Sequence, residues 1–280
     1  MRVRGLPYPV MGMGSPLSLA RTKGVGYEAE SIALFARFTT PPDPTRKALI
    51  NTLVKSLKAA GVWTKLDALY LFAAADAQAA RRNWIQDLYN ATAVSSPTFA
   101  ADRGYTGDGA AAYLDTGFNP STASSPKLTQ NSAHASAWDR TSRAADGTNI
   151  LGGRQSTTNY IDILPRFTAD VMIGRVTTNS AGGLSIANAS SVGHFLINRS
   201  ASNAIQMYKN GASAGSSATA SVAVPNVNIG LLARQIAAGG ADAYTSDQIA
   251  AASIGRSLTS TEAAALYSAI NTYLQAVGAA

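Results

Sequence analysis

Residues 192–211 read Val192-Gly-His-Phe-Leu-Ile-Asn-Arg-Ser-Ala-Ser-Asn-Ala-Ile-Gln-Met-Tyr-Lys-Asn210-Gly211. Val192–Ile197 is a short apolar run rich in aromatic and β-branched residues, and Ala204–Tyr208 is a second. Both are too short to be helices, and both are of strand length. The pair closes on Asn210-Gly211, a dipeptide that readily takes the left-handed backbone of a two-residue hairpin turn. Similar runs recur outward in both directions from about residue 97: Ala111–Leu114, Ser132–Trp138, Tyr160–Leu164, Thr168–Ile173, Ala220–Val224, Val227–Leu232 and Gln248–Arg256. Many short strands separated by polar turns predict a mainly β protein, a sandwich or jelly roll.

Helical patterns flank this region. At the C-terminus, Thr259-Ser-Thr-Glu262 is a capping box; Leu266, Ile270, Tyr273, Leu274 and Val277 form one apolar face, and Gly278 stops the helix. Toward the N-terminus, residues 28–37 read as a short helix or strand. Pro41, Pro42 and Pro44 then lead to a helix with Thr45 as its cap, Leu49, Ile50, Leu53, Val54 and Leu57 on one face, and Gly61 at its end. A second helical stretch carries Trp63, Leu66, Leu69 and Tyr70, and a third, opened by Asp76, runs to Trp84 and Ile85. The expected organisation is an extended basic arm over 1–26, a helical segment over 27–96 and a sandwich over 97–280.

Composition narrows the function classes. Only 14% of residues are charged, against about a quarter in ordinary globular proteins. With no cysteine there is no disulfide framework, thiolate metal site or Cys nucleophile. The net charge of +7 is uneven: residues 1–100 hold twelve Lys/Arg and six Asp/Glu, while the remainder hold eleven and ten. Residues 1–26, rich in Gly and Pro, carry Arg2, Arg4, Arg21 and Lys23 with no acid, and cannot form a core alone. An acidic protein surface is the expected partner of this arm, ahead of nucleic acid, since no tight Arg/Lys run with interleaved aromatics is present. Pro7, Pro9, Gly12, Gly14 and Pro16 break the early apolar stretch, so neither a signal peptide nor a membrane span is expected.

Three stretches together resemble the laminin-G/concanavalin-like lectin superfamily. Tyr105-Thr-Gly-Asp-Gly-Ala-Ala-Ala-Tyr-Leu-Asp-Thr-Gly-Phe118 is similar to its opening strand pair, Met207-Tyr-Lys-Asn-Gly-Ala212 to its central hairpin, and Ala252–Tyr267 to its last strand and closing helix. The resemblance covers 97–280 and implies a concanavalin-like jelly-roll sandwich with a C-terminal capped helix. The layout, a helical segment leading into such a domain, is similar to tail, fibre and spike proteins of phages and phage-like particles. What that likeness implies is a virion structural protein that is not an enzyme, docked to other virion proteins through residues 1–96, with an outward domain that binds host-surface polysaccharide. A stand-alone carbohydrate-binding protein and a glycan hydrolase are the alternatives, and a homo-oligomer stays open.

The chemistry-bearing residues are few. Retaining glycan hydrolases need two carboxylates about 5 Å apart. Glu28, Glu30 and Glu262 all lie outside the expected strands, and Asp139, Asp162 and Asp170 lack paired spacing. His134 and His194 read as structural; His134 shares a strand face with Ser136 and Trp138. Calcium is possible around Asp108, with Asp102, Asp115 and Asp146 as companions, yet Asp108 in its Gly-Asp-Gly turn also reads as turn chemistry, and no cofactor is assigned. The glycines at 12–14 and 24–26 precede no Rossmann pattern. For sugar stacking the candidates are Trp138, beside Asp139 and Arg140, and Tyr160, after Thr157-Thr158-Asn159, each set against a plain core role.

Overall fold

The computed structural model describes Met1 and residues 26–280, so the arm expected over 1–26 lies, its two ends apart, outside the described residues. The described chain opens with α1 (Ala29–Phe35), α2 (Pro44–Ala59) and a 3-10 turn at Trp63–Lys65. Asp43 caps α2, accepting from the Arg46 N–H at 2.9 Å, and Pro44 takes the first helical position, where a missing N–H is harmless. Thr45, the expected cap, is already inside the helix. Gly61 follows the helix end at φ +71°, a conformation glycine adopts without a Cβ penalty.

The second expected helix is corrected. Leu66, Leu69 and Tyr70 lie on a strand, β1 (Leu66–Leu71), all six residues of which are buried. Helical spacing misleads here because a strand covered on both faces shows no alternation. The third expected helix is a single turn, α3 (Ala77–Ala80), capped by Asp76. It ends because the residues after it bond to β1: the Leu69 N–H donates to Asn83 Oδ1 at 3.1 Å, and the Trp84 N–H to Leu69 O at 2.8 Å. The segment 27–96 is therefore helical mainly in its first half and joins the sandwich in its second.

The remaining strands are β2 (Thr92–Val94), β3 (Thr98–Ala100), β4 (Gly104–Thr106), β5 (Tyr113–Asp115), β6 (Ala133–Asp139), β7 (Leu151–Ser156), β8 (Asn159–Phe167), β9 (Val171–Thr178), β10 (Leu184–Ala187), β11 (Gly193–Ala201), β12 (Ala204–Lys209), β13 (Ala212–Ser217), β14 (Gly230–Leu231), β15 (Arg234–Ile236), β16 (Ala241–Asp242) and β17 (Gln248–Gly255), followed by α4 (Ser260–Ala276). They form two sheets. The first runs β13-β12-β11-β6-β17-β4-β3, with β1 also paired to β17; the second runs β10-β9-β8-β7-β14-β5-β2, with β15 beside β7 and β16 beside β15. The chain is a mainly β, two-sheet sandwich with helices at its terminal regions, as expected. Among the described residues no helix is long and apolar enough to cross a membrane.

Between the sheets lie Ala135, Ala137, Phe195, Ile197 and Met207 of the first, and Leu151, Ile161, Ile163, Met172 and Val176 of the second, all buried. The approach is closest at Gly174, where an added Cβ would stand 2.9 Å from Met207 Sδ and 3.0 Å from Ile197 Cδ1. Asn210 and Gly211 take φ +51° and +77°, and make the expected hairpin turn between β12 and β13. The expected strand Thr168–Ile173 instead begins with a turn, Ala169 and Asp170 both having positive φ, and Ala220–Val224 forms no strand.

α4 covers the outer face of the first sheet. Its capping box is formed as expected, Thr259 and Glu262 bonding each other's backbone N–H. Tyr267 stacks on Trp138 with ring centroids 5.5 Å apart, and Trp84 meets Tyr273 edge-on at 5.8 Å. α2 packs on α4 in turn, so the helices gather on one side of the sandwich.

Candidate functional site

The second sheet brings together charged side chains from five strands. Asp162 on β8 is fully buried and accepts from Arg175 Nη1 on β9, at 3.1 and 3.0 Å, and from Arg234 Nη1 on β15 at 3.3 Å. Arg234 also grips Asp242 of β16 with two bonds, Nε to Oδ1 at 2.8 Å and Nη2 to Oδ2 at 3.0 Å. Arg154 of β7 reaches the same Asp242 Oδ2 at 2.9 Å. Strand pairing dictates this assembly: Asp162 sits opposite Arg175, and Arg234 opposite both Gly152 and Asp242. Gly152 keeps the site flat, since an added Cβ would stand 2.9 Å from Arg234 Cβ and Cγ. Burial works against the Arg234 charge, but Asp242 and Asp162 outweigh it and hold the guanidinium above its ordinary pKa.

Tyr160 is at the centre of this group, not on its surface. The guanidinium carbons of Arg175, Arg234 and Arg154 stand 5.1, 5.5 and 6.0 Å from its ring centroid. The ring is 5% exposed. It therefore offers no face for a sugar to stack on, which corrects the platform role expected of it. Its electron-rich face instead seats the arginines.

Trp138 is corrected outright as a sugar platform. It is 6% exposed and sandwiched between the first sheet and Tyr267 of α4, with His194 at 5.9 Å. Asp139 and Arg140, its expected polar partners, are engaged elsewhere: Arg140 Nε donates to Ala279 O at 2.5 Å.

The histidines lie beneath α4. His134 is fully buried, with Nδ1 2.6 Å from Arg256 O and Nε2 3.0 Å from Ser253 Oγ, which bonds Ser136 Oγ at 2.7 Å. His194 is equally enclosed but neither ring nitrogen has a partner among the described residues. Burial holds both rings neutral, lowering His134 to about 4 and His194 to about 3. Among the described residues no carboxylate bonds either ring, so these residues place neither histidine in a nucleophile–base–acid arrangement.

A second carboxylate pair lies where β6 ends and β17 begins. Asp139 and Asp247 are both fully buried. Asp247 is paired to Arg143 at 2.7 Å, and among the described residues Asp139 accepts only from the Thr141 N–H at 2.8 Å. Burial, and then the charge of Asp247, push the Asp139 carboxyl well above the usual carboxylate range. Closed over by the chain, it meets no solvent through which a substrate would enter.

The four residues considered for calcium are spent on separate tasks. Asp108 Oδ1 accepts from the N–H groups of Ala110, Ala111 and Ala112, each at 2.8 Å, and these bonds lower its pKa to about 2. This is turn chemistry. Asp102 pairs with Arg46, Asp115 with Asn228 and the Gly117 N–H, and Asp146 with Arg143 and Thr148. Among the described residues no three His, Asp or Glu side chains converge as a metal site would need. Asp170 pairs with Arg166 at a turn.

Asp162 and Tyr160 stand out in the sequence, whereas Arg154, Arg175, Arg234 and Asp242 do not. They are spread over some ninety residues on four strands, and no spacing in the chain announces their meeting.

No protein-family model matches the chain, and no curated protein matches it. Solved structures do. The binding domain of botulinum neurotoxin serotype D aligns with 74% of this chain and 52% of its own at TM-score 0.53 and 10% identity. A Trypanosoma rangeli sialidase in complex with sialic acid aligns with 81% of this chain and 39% of its own at TM-score 0.51 and 10% identity. Domain 4 of an extracellular arabinanase from Geobacillus stearothermophilus, in complex with arabinotriose, is covered over 98% of its length against 72% here, at TM-score 0.47 and 15% identity. This chain thus spans about half of the toxin domain and two fifths of the sialidase. At such identities the likeness shows the fold alone, a two-sheet jelly-roll sandwich.

Proposed function

We propose that this chain is a non-enzymatic, glycan-binding sandwich carried by a phage or phage-like particle, with the outer face of the second sheet as its binding surface. The observation that carries the reading is the division of the two outer faces. The helices take up the first, whereas the second presents Arg154 and Asp242, each about one third exposed, on a frame of ion pairs. Docking through the helical side and residues 1–96 turns the second face outward, as a receptor-reading domain requires. The sialic acid bound by the sialidase is a property of that protein, and its likeness here supports the fold alone. The absence of catalysis is supported by the state of the carboxylates: Asp162 and Asp242 are locked to arginines, and Asp139 with Asp247 is sealed. A free acid–nucleophile pair is what hydrolysis needs.

Two measurements test this. The first is binding of the full-length protein to an array of bacterial surface oligosaccharides, followed by a search for shortened products. Retention without cleavage is expected, and cleavage would return the chain to the hydrolases. The second is immunolabelling of particles from the source organism with antibody to residues 97–280. Label at a fixed site is expected; protein found only free in the medium would leave a stand-alone carbohydrate-binding protein.

A further inference from the structure

We propose that the outer face of the second sheet selects saccharides bearing an anionic group, with Arg154 and Arg175 as the residues that bind it. This rests on the glycan-binding reading above and specifies its ligand. Arg154, Arg175 and Arg234 face Asp162 and Asp242, so three positive charges meet two negative ones and one positive charge is left over. The donors are also unevenly spent. Arg234 commits Nε, Nη1 and Nη2 to the two aspartates. Arg175 commits Nε to Ser180 O and Nη1 to Asp162, and Arg154 commits only Nη2. Among the described residues Arg175 Nη2 and the Nε and Nη1 of Arg154 meet no acceptor, while Asp162 is fully buried and Asp242 already accepts three bonds.

A face that offers donors and surplus positive charge, with its acceptors already taken, suits a ligand that brings its own acceptors. Carboxylate and phosphate do so with the planar or near-planar oxygen pairs that guanidinium matches. The guanidiniums are fixed beforehand by Asp162, Asp242 and the Tyr160 ring, so little side-chain freedom is lost on binding. Beside them Ser156, Thr158 and Asn159 form a hydroxyl and amide cluster on the exposed β7–β8 hairpin, fit for sugar hydroxyls.

The experiment is calorimetric titration of the full-length protein with trigalacturonate, with its carboxyl-reduced neutral counterpart, and with a glycerol-phosphate oligomer. We expect at least one anionic ligand to bind, binding to fall with added salt, and removal of the anionic group to weaken it roughly tenfold or more. Arg154→Ala is expected to lose a similar factor and Arg154→Lys to recover part of it, with Tm unchanged because Arg154 is partly exposed and holds one ion pair. The two anionic arms tell carboxylate from phosphate. Equal affinity for the neutral counterpart would overturn the anion selectivity and leave glycan binding standing. Anionic binding untouched by Arg154→Ala would move the site elsewhere on the molecule. Failure of every saccharide, charged and neutral, would remove the glycan-binding reading as well.

Discussion

At the scale of single residues, burial separates roles that composition leaves mixed. Trp138 and Tyr160 are both nearly enclosed, at 6% and 5% exposure, yet one fills a helix–sheet seam and the other seats a charged cluster. Trp138→Ala should cost about 3–5 kcal/mol of stability by urea denaturation and leave saccharide binding as it was. A loss of binding with stability intact would restore Trp138 as a contact residue. Asp139 is a different case. Its raised pKa means that its contribution is present at low pH and is lost as pH rises through the folded value, because the buried carboxyl resists giving up its proton. Asp139→Asn keeps an oxygen for the Thr141 N–H and has no proton to lose. Stability at pH 7 should rise by on the order of 1 kcal/mol, read as a higher denaturation midpoint. A lower midpoint would mean that the carboxylate itself is needed there.

At the scale of elements, β1 decides how the chain can be divided. Its six buried residues lie against Ala251–Gly255 of β17, and the Phe72 and Ala73 N–H groups donate to Ala250 O at 2.7 and 3.1 Å. Removing it leaves a central strand with an open edge and an uncovered apolar strip. A chain cut to 97–280 should therefore aggregate or lose its cooperative transition, whereas one beginning at residue 27 should fold. Circular dichroism and gel filtration check this; a monomeric, cooperatively melting 97–280 would show that β1 is dispensable. The same element shows why local pattern fails. Leu66-Asp-Ala-Leu-Tyr-Leu71 suits a helix by spacing, and only its covering on both sides makes it a strand. The turn at Ala169–Asp170 was equally hidden, having neither glycine nor proline to mark it. The features that were legible, the Asn210-Gly211 turn and the Thr259–Glu262 capping box, are those whose chemistry is complete within four residues.

At the scale of the whole molecule, the two histidines under α4 couple the first sheet and its helix to pH. His134 and His194 are depressed to about 4 and about 3, by burial first in each case. A depressed folded pKa gives stability that is full above the unfolded value near 6.5 and is lost as pH falls toward the folded one. Below about pH 6.5 the unfolded chain takes up protons that the folded chain refuses, at up to about 3 kcal/mol for His134 and about 5 kcal/mol for His194. Thermal melts should fall steeply from pH 6.5 to 4, and His194→Phe should flatten that slope. An unchanged slope in the variant would place the acid sensitivity in other groups.

Chain order and composition suffice for the class of the protein and its punctuation: a run of short strands, polar turns, a capped closing helix, no cysteine, and positive charge concentrated in the first hundred residues. Each of these is a local or summed property, fixed by neighbours in the chain or by composition. Folding in three dimensions is what makes Leu66–Leu71 a strand, covers Trp138, and brings Arg154, Arg175 and Arg234 onto Tyr160 and two aspartates. Those outcomes depend on which strands pair and on which sheet face a helix covers. Pairing between distant strands is set by burial of both faces at once, and this leaves no periodic trace in the chain.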